Sequence, residues 1–252
     1  MRGWRRIVGN GLSIIYGLGH RLSGKTEHGF RVLMYHAVGT PVPDDICSIY
    51  SVEPALFKAQ MEILADLGSS KAVPLSPLPV DGIVVTFDDG FRDNLDVAAP
   101  ILEQFGIPFT VFVTPGLIQS GKPIYLSVSA LRDLASVPGA TIGAHGYTHR
   151  RLADCEPGEL QNELVNSRKW LEDIIGLPVT CMSYPHGSEN SRVRKAVSGA
   201  GYTIAASSHA GFNLPANDPL SLMRTDIWTQ DNSCVFQAKI RGDWDWMAFR
   251  SK

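Results

Sequence analysis

The sequence predicts an α/β fold, with strands and helices alternating around a parallel sheet, and three observations carry that reading. Short apolar runs bounded by Gly or Pro recur, such as Gly82 to Phe87 (GIVVTF) and Phe109 to Val113 (FTVFV). Rich in β-branched and aromatic residues, they read as strands covered on both faces. Between such runs lie segments with apolar residues at helical intervals, for example Phe57, Met61, Leu64 and Leu67. That alternation is the pattern of an α/β architecture. Finally, 252 residues of which 44% are hydrophobic and 19% charged suit one globular domain with a sizeable core. The domain is expected over residues 30–252, with no internal repeat or linker inside it.

Residues 1–29 stand apart. Arg2, Arg5 and Arg6 precede a mildly apolar stretch, Leu12 to Leu18. The layout is similar to a signal peptide, but the apolar core is short, broken by Gly, and has no clear small-residue cleavage site. It is far too short to span a bilayer. Two readings stay open: a weakly amphipathic segment resting on a membrane surface through Trp4 and the arginines, or a loosely packed leader. The expected location is accordingly cytoplasmic or membrane-associated.

From Phe30 the elements follow in order. Phe30 to Val38 (FRVLMYHAV) reads as the first strand, with His36 near its end. Thr40 to Ser51, rich in Pro and Asp, is a loop, and Pro54 to Leu67 a helix stopped at Gly68. A brief strand at Ala72-Val73 precedes the Pro-rich stretch Pro74 to Pro79. After the strand Gly82 to Phe87 comes a helix from Asn94 to Gln104, ended by Gly106 and Pro108. Pro108 opens the strand Phe109 to Val113, and Leu126 to Ala135 is a short helix. Thr141 begins a further strand. Glu156 to Ile175 is the longest helix, acidic early and closed by Gly176. Val179 to Tyr184 is a strand, Val193 to Ser198 a helix, and Tyr202 to Ala206 and Leu222 to Trp228 are strands. A helix from Cys234 to Arg241 leads to an aromatic tail, Trp244, Trp246 and Phe249.

The balance of 23 basic to 25 acidic residues leaves no footprint for nucleic acid. Cys47, Cys155, Cys181 and Cys234 have neither CxxC spacing nor the density of a disulfide framework. Free core thiols are expected, consistent with a reducing compartment.

Chemistry concentrates at two strand ends. Gly82 to Gly90 (GIVVTFDDG) delivers Asp88 and Asp89 into a glycine turn at the carboxyl end of a strand, where α/β folds build their sites. Alone, Asp-Asp-Gly is also simply a good turn. Thr141 to His149 (TIGAHGYTH) supplies what a turn does not need, His145 and His149 beyond a second strand. The intervening Gly-Tyr-Thr argues against a helical zinc pair. Two imidazoles and one carboxylate are a competent set for a divalent catalytic metal with positions left for water and substrate.

Thr86-Phe87-Asp88-Asp89-Gly90 followed by His145-Gly146-Tyr147-Thr148-His149 resembles the polysaccharide deacetylases of the NodB-homology type, carbohydrate esterase family 4. Ser183-Tyr184-Pro185-His186-Gly187 is similar to that family's groove motif, and the resemblance runs from Phe30 to Phe249. It implies an irregular (β/α)7 barrel and a metal-dependent hydrolase that removes N-acetyl groups from an amino-sugar glycan, in exopolysaccharide or surface-glycan synthesis. It also implies that Asp89, His145 and His149 hold one divalent ion; zinc suits them best, while cobalt, nickel, manganese and iron are compatible. Asp88 is then the general base. The usual C-terminal His block of the family is missing, but Leu33-Met34-Tyr35-His36 resembles the arrangement in circularly permuted exopolysaccharide deacetylases. His36 is therefore the expected general acid.

Three departures from the family pattern stand out. The Arg that often precedes the groove motif is replaced by Met182-Ser183, and Arg224 is the residue expected to orient the base instead. His186 stands where Tyr is usual; with Tyr184 it is assigned to the oxyanion and substrate groove. Gly146 replaces the hydroxyl residue usual after the first His. Tyr147, Tyr184 and Trp228 are the aromatic candidates for a sugar groove, with core packing as the alternative. Two other functions compete: a deacylase of a lipid-linked sugar or non-sugar amide, and a carbohydrate-binding barrel without catalysis.

Overall fold

The structure, a computed structural model, describes residues 13, 28–43, 45–68 and 71–250. The segment expected over residues 1–29 therefore lies outside the described residues, apart from Ser13, His28 and Gly29. Among the described residues no helix is long and apolar enough to cross a membrane.

Seven parallel strands close a barrel in chain order: β1 (Phe30–Tyr35), β2 (Gly82–Phe87), β3 (Phe109–Val113), β4 (Ala140–Ala144), β5 (Cys181–Ser183), β6 (Ile204–Ala210) and β7 (Leu222–Asp226). β1 pairs with β2 along its whole length and with β7 through Leu33↔Thr225 and Met34↔Asp226, so the seam joins the first strand to the last. Helices cover the outside: α1 (Pro54–Asp66), α2 (Ala99–Gln104), α3 (Pro115–Gln119), α4 (Val128–Ala135), α5 (Pro157–Ile175), α6 (Ser191–Gly199) and α7 (Ser233–Ile240). This is the (β/α)7 barrel expected.

The period of two along each strand sorts the side chains. Leu33, Tyr35, Val85, Phe87, Val111 and Val113 face outward into one large core beneath the helices. Phe30, Val32, Val84, Phe112, Cys181 and Leu222 form a second cluster within the barrel. Gly143 has no side chain because Phe112 fills the space; a Cβ there would lie 2.4 Å from its ring. Continuing the inward series one or two steps toward the carboxyl ends brings up His36, Asp88, His145, Ser183, Arg224 and Asp226. The apolar floor thus passes into a polar cleft without any change of periodicity.

Several boundaries differ from expectation. β1 stops at Tyr35 because the chain leaves the sheet there; Ala37 makes only an isolated bridge to Ser51. Ala72 likewise makes one bridge, to Ile83, and no strand. The helix expected from Asn94 opens as a π-turn, Asn94–Ala98, before α2. Its first residues are engaged elsewhere: Asp93 accepts from Val38 N and Thr40 N at 2.9 Å each, and Asn94 Nδ2 donates to His36 O at 2.9 Å. α3 was not expected; its signal is Pro115 at the first helical position. The cysteines are free, but only Cys155 and Cys181 are buried. Cys47 and Cys234 are exposed, correcting the expectation of four core thiols.

Candidate active site

At the carboxyl ends of the strands lies a cleft of about 490 Å³ whose lining includes His36, Asp88, Asp89, His145, His149, His186 and Arg224. All the polar residues singled out from the sequence meet there. Asp88 is buried at the end of β2, gripped from β7 by Arg224, with Nη1 2.8 Å from Oδ1 and Nη2 2.8 Å from Oδ2. Arg224 is 1% exposed, donates through Nε to Ser207 O at 2.7 Å and lies over the Phe112 ring. A planar guanidinium matches a carboxylate in this two-pronged way; a lysine does not. Burial pushes the Asp88 carboxyl up, but the charges of Arg224 and His145 more than reverse this and hold it well below the usual carboxylate range.

Asp89, with φ 75°, turns away from its neighbour. Its Oδ1 lies 3.2 Å from His149 Nε2 and 3.5 Å from His145 Nε2, yet it is buried without a hydrogen bond of acceptable geometry. One ligand atom from each of the three residues lies within 4.8 Å of the others. Ser183 decides the tautomer of His145. Its Oγ donates to Asp88 Oδ1 at 3.1 Å, so it must accept from His145 Nδ1 at 2.6 Å. The His145 proton is thereby held on Nδ1, also 3.0 Å from Ser183 O, and Nε2 presents a lone pair toward Asp89. Burial lowers the His145 pKa to about 4, keeping the ring neutral. His149 shifts the other way: burial works against its charge, but Asp89 prevails and raises it. An unprotonated imidazole nitrogen beside an orphaned carboxylate oxygen is a donor set that fits a divalent cation.

A matching model of the family described as polysaccharide deacetylase spans residues 76–205, more than half of the chain. The chain belongs to the polysaccharide deacetylase family. It is 28% identical to YxkH of Bacillus subtilis strain 168 over 189 residues, which covers 71% of this chain and 64% of that protein. Among solved structures, the polysaccharide deacetylase BC0361 of Bacillus cereus is 25% identical with a TM-score of 0.75, the match covering 85% of this chain and 69% of that one. The Streptococcus pyogenes deacetylase PplD, solved with acetate, superposes with a TM-score of 0.73 at 24% identity over 85% of this chain and 99% of its own, a likeness of fold.

Within the barrel the remaining candidates fall at different depths. The His36 ring packs on Tyr50, centroids 4.4 Å apart, and its Nδ1 is buried without a partner. His186, also at positive φ (57°), is exposed at the rim, its ring 4.5 Å from that of His149 and its Nε2 3.2 Å from His149 O. Tyr184 reaches the cleft wall, but it is fully buried and its hydroxyl donates to Leu220 O at 2.7 Å; it supplies shape, not a free polar group. Tyr147 stands beside the site with its hydroxyl near Gln119. Trp228 does not face the cleft. It packs against Trp244 and over the buried amine of Lys239, 4.0 Å from the ring centroid, so as a groove aromatic it is withdrawn.

Three residues at the site were missed. Ser183 was noted only as filling the place of an absent Arg, although it sits two residues beyond the inward-facing Cys181. Asp226 stands two residues beyond Arg224, by the same alternation. Burial pushes its carboxyl up against the pull of Lys239, Arg224 and His36, and its Oδ1 is an orphan. Tyr50 lies in a loop that no periodicity describes. Asp45 builds that loop by accepting from Ile49 N at 2.6 Å and Tyr50 N at 2.8 Å.

Proposed function

We propose that the chain hydrolyses N-acetyl groups on an amino-sugar glycan, releasing acetate and a free amine. Family membership supports the reaction class, and the cleft provides groups for each requirement. Asp89, His145 and His149 would hold a divalent ion, zinc first among the candidates. When bound, such an ion acidifies water and polarises a carbonyl oxygen. Asp88, ionised by Arg224 and not among the three ligands, takes a proton from the attacking water. The water oxygen bonds to the acetyl carbon while the carbonyl oxygen gains charge beside the Pro185-His186-Gly187 turn, where the backbone N–H of His186 is assigned as donor. His36 gives a proton to the departing nitrogen as the carbon–nitrogen bond breaks. Asp226, on the adjacent strand, faces it through charge alone.

The observation that carries this reading is the division of labour between neighbouring carboxylates. Asp88 is bound by an arginine on both oxygens, and Asp89 is left open toward two imidazoles. A barrel kept only for sugar binding has no use for that division. Asp88→Asn is expected to bind metal as the parent does and to lose at least ~100-fold in acetate release from N-acetylated amino-sugar oligomers, a loss of general-base size. Turnover at the parent rate in that variant refutes the mechanism.

A further inference from the structure

Between the metal-ligand candidates His145 and His149 lies a loop of unusual backbone, with φ 64° at both Gly146 and His149. Nothing in regular secondary structure fixes such a turn. A single buried carboxylate does, and it comes from outside the barrel. Glu163, on the inner face of α5, is 5% exposed. Its Oε2 accepts from Tyr147 N at 2.7 Å and from Thr148 N at 2.9 Å, and its Oε1 accepts from Thr148 Oγ1 at 2.5 Å. Every residue of the loop is shaped around it. A Cβ at position 146 would lie 3.1 Å from Glu163 Oε2, so the glycine there admits the carboxylate. The same loop is held on its other side by Thr114 Oγ1, which donates to His145 O at 2.8 Å, and by Gly116 N, which donates to Tyr147 O at 2.8 Å.

We propose that Glu163 is a positioning residue that holds His145 and His149 at ligand spacing and so sets the metal affinity of the site. The inference rests on the metal reading above. Without the buried carboxylate, two backbone N–H groups and a hydroxyl of this part-buried loop lose the one partner they share, and the loop reopens to pair them with water. It does so by releasing one of the two histidines. Supporting groups of this kind typically change metal affinity by about 10–100-fold.

The test is zinc affinity by competition with a chromophoric chelator, together with the visible spectrum of the cobalt-loaded protein, on the full chain. Glu163→Ala is expected to weaken zinc binding by about 10–100-fold and to alter the cobalt spectrum. Glu163→Gln should fall between it and the parent. Its one oxygen can serve both N–H groups while its amide donates to the Thr148 hydroxyl. Amide hydrogen exchange should quicken in the same order at Tyr147 and Thr148 while the barrel strands keep parent protection, which a poorly folded alanine variant would not show. Parent-like affinity and exchange in both variants overturn this proposal while leaving the metal reading intact. A parent chain that binds neither zinc nor cobalt overturns both.

Discussion

Arg224 shows how much one side chain decides. It is buried, it ionises Asp88, and nothing else among the described residues makes a paired hydrogen bond to that carboxylate. Truncating Arg224 to Met strands a buried charge and is expected to destabilise by about 3–5 kcal/mol, read by urea unfolding. Arg224→Lys keeps the charge and loses the fork. The barrel should survive with metal bound and kcat reduced, which separates positioning from folding. His145 makes a pH prediction for the metal-free chain. Its folded pKa of about 4 lies below the ordinary histidine value of 6.5, so between those values the unfolded chain binds more protons. Stability is then complete above about 6.5 and falls as the pH drops toward 4. Urea midpoints measured with chelator across that window check the sign; a midpoint that rises on acidification contradicts it. Asp88, Asp89, His145 and His149 were legible as candidates in the sequence because they stand in short motifs. Ser183, Asp226 and Tyr50 were not, because a serine or aspartate at the end of a strand and a tyrosine in a loop have many uses, and only the barrel's curvature shows which neighbours they meet.

At the scale of elements, α5 is read to within one residue from sequence, expected over Glu156 to Ile175 and found over Pro157–Ile175. Its ends explain why. Glu156 N donates to Glu159 Oε2 at 3.0 Å in a capping box, and Gly176 closes the helix at φ 70°. Gly176→Ala is expected to cost about 1–2 kcal/mol, since a Cβ penalises the left-handed conformation, while zinc affinity stays at the parent value. Together with Glu163→Ala on the same helix, it distinguishes loss of helix stability from loss of loop support. The elements read less well are those whose backbone serves the cleft. The π-turn at Asn94–Ala98 has no periodic signature, because Asp93 and Asn94 hold the segment after β1 in place of a regular first turn. The brief strand expected at Ala72-Val73 is shorter than its composition suggests. Val73 N donates to Ile83 O at 2.9 Å and Ile83 N to Lys71 O at 2.7 Å, but the pairing stops at that single bridge beside β2.

For the whole molecule, ligand binding and folding are linked, because the donors converge only in the closed barrel. Zinc at 100 times its dissociation constant should stabilise the fold by about 2.7 kcal/mol, so a chelator is expected to lower the thermal midpoint. An unchanged midpoint on stripping a metal-loaded sample contradicts the convergence seen here. The barrel itself was expected from strand and helix alternation joined to the family resemblance, whereas its closure, β1 against β7, is a long-range fact that no local pattern encodes. That seam has a further consequence for how the protein comes into being. As the chain is synthesised, Asp88, Asp89, His145 and His149 are all available well before β7 emerges, but Arg224 and Asp226 arrive only with the last strand. A nascent or clipped chain carries every candidate metal ligand and still lacks both the closed barrel that brings them together and the guanidinium that ionises Asp88. Competence is conferred late, by the same event that shuts the barrel, so incompletely made copies are silent by construction.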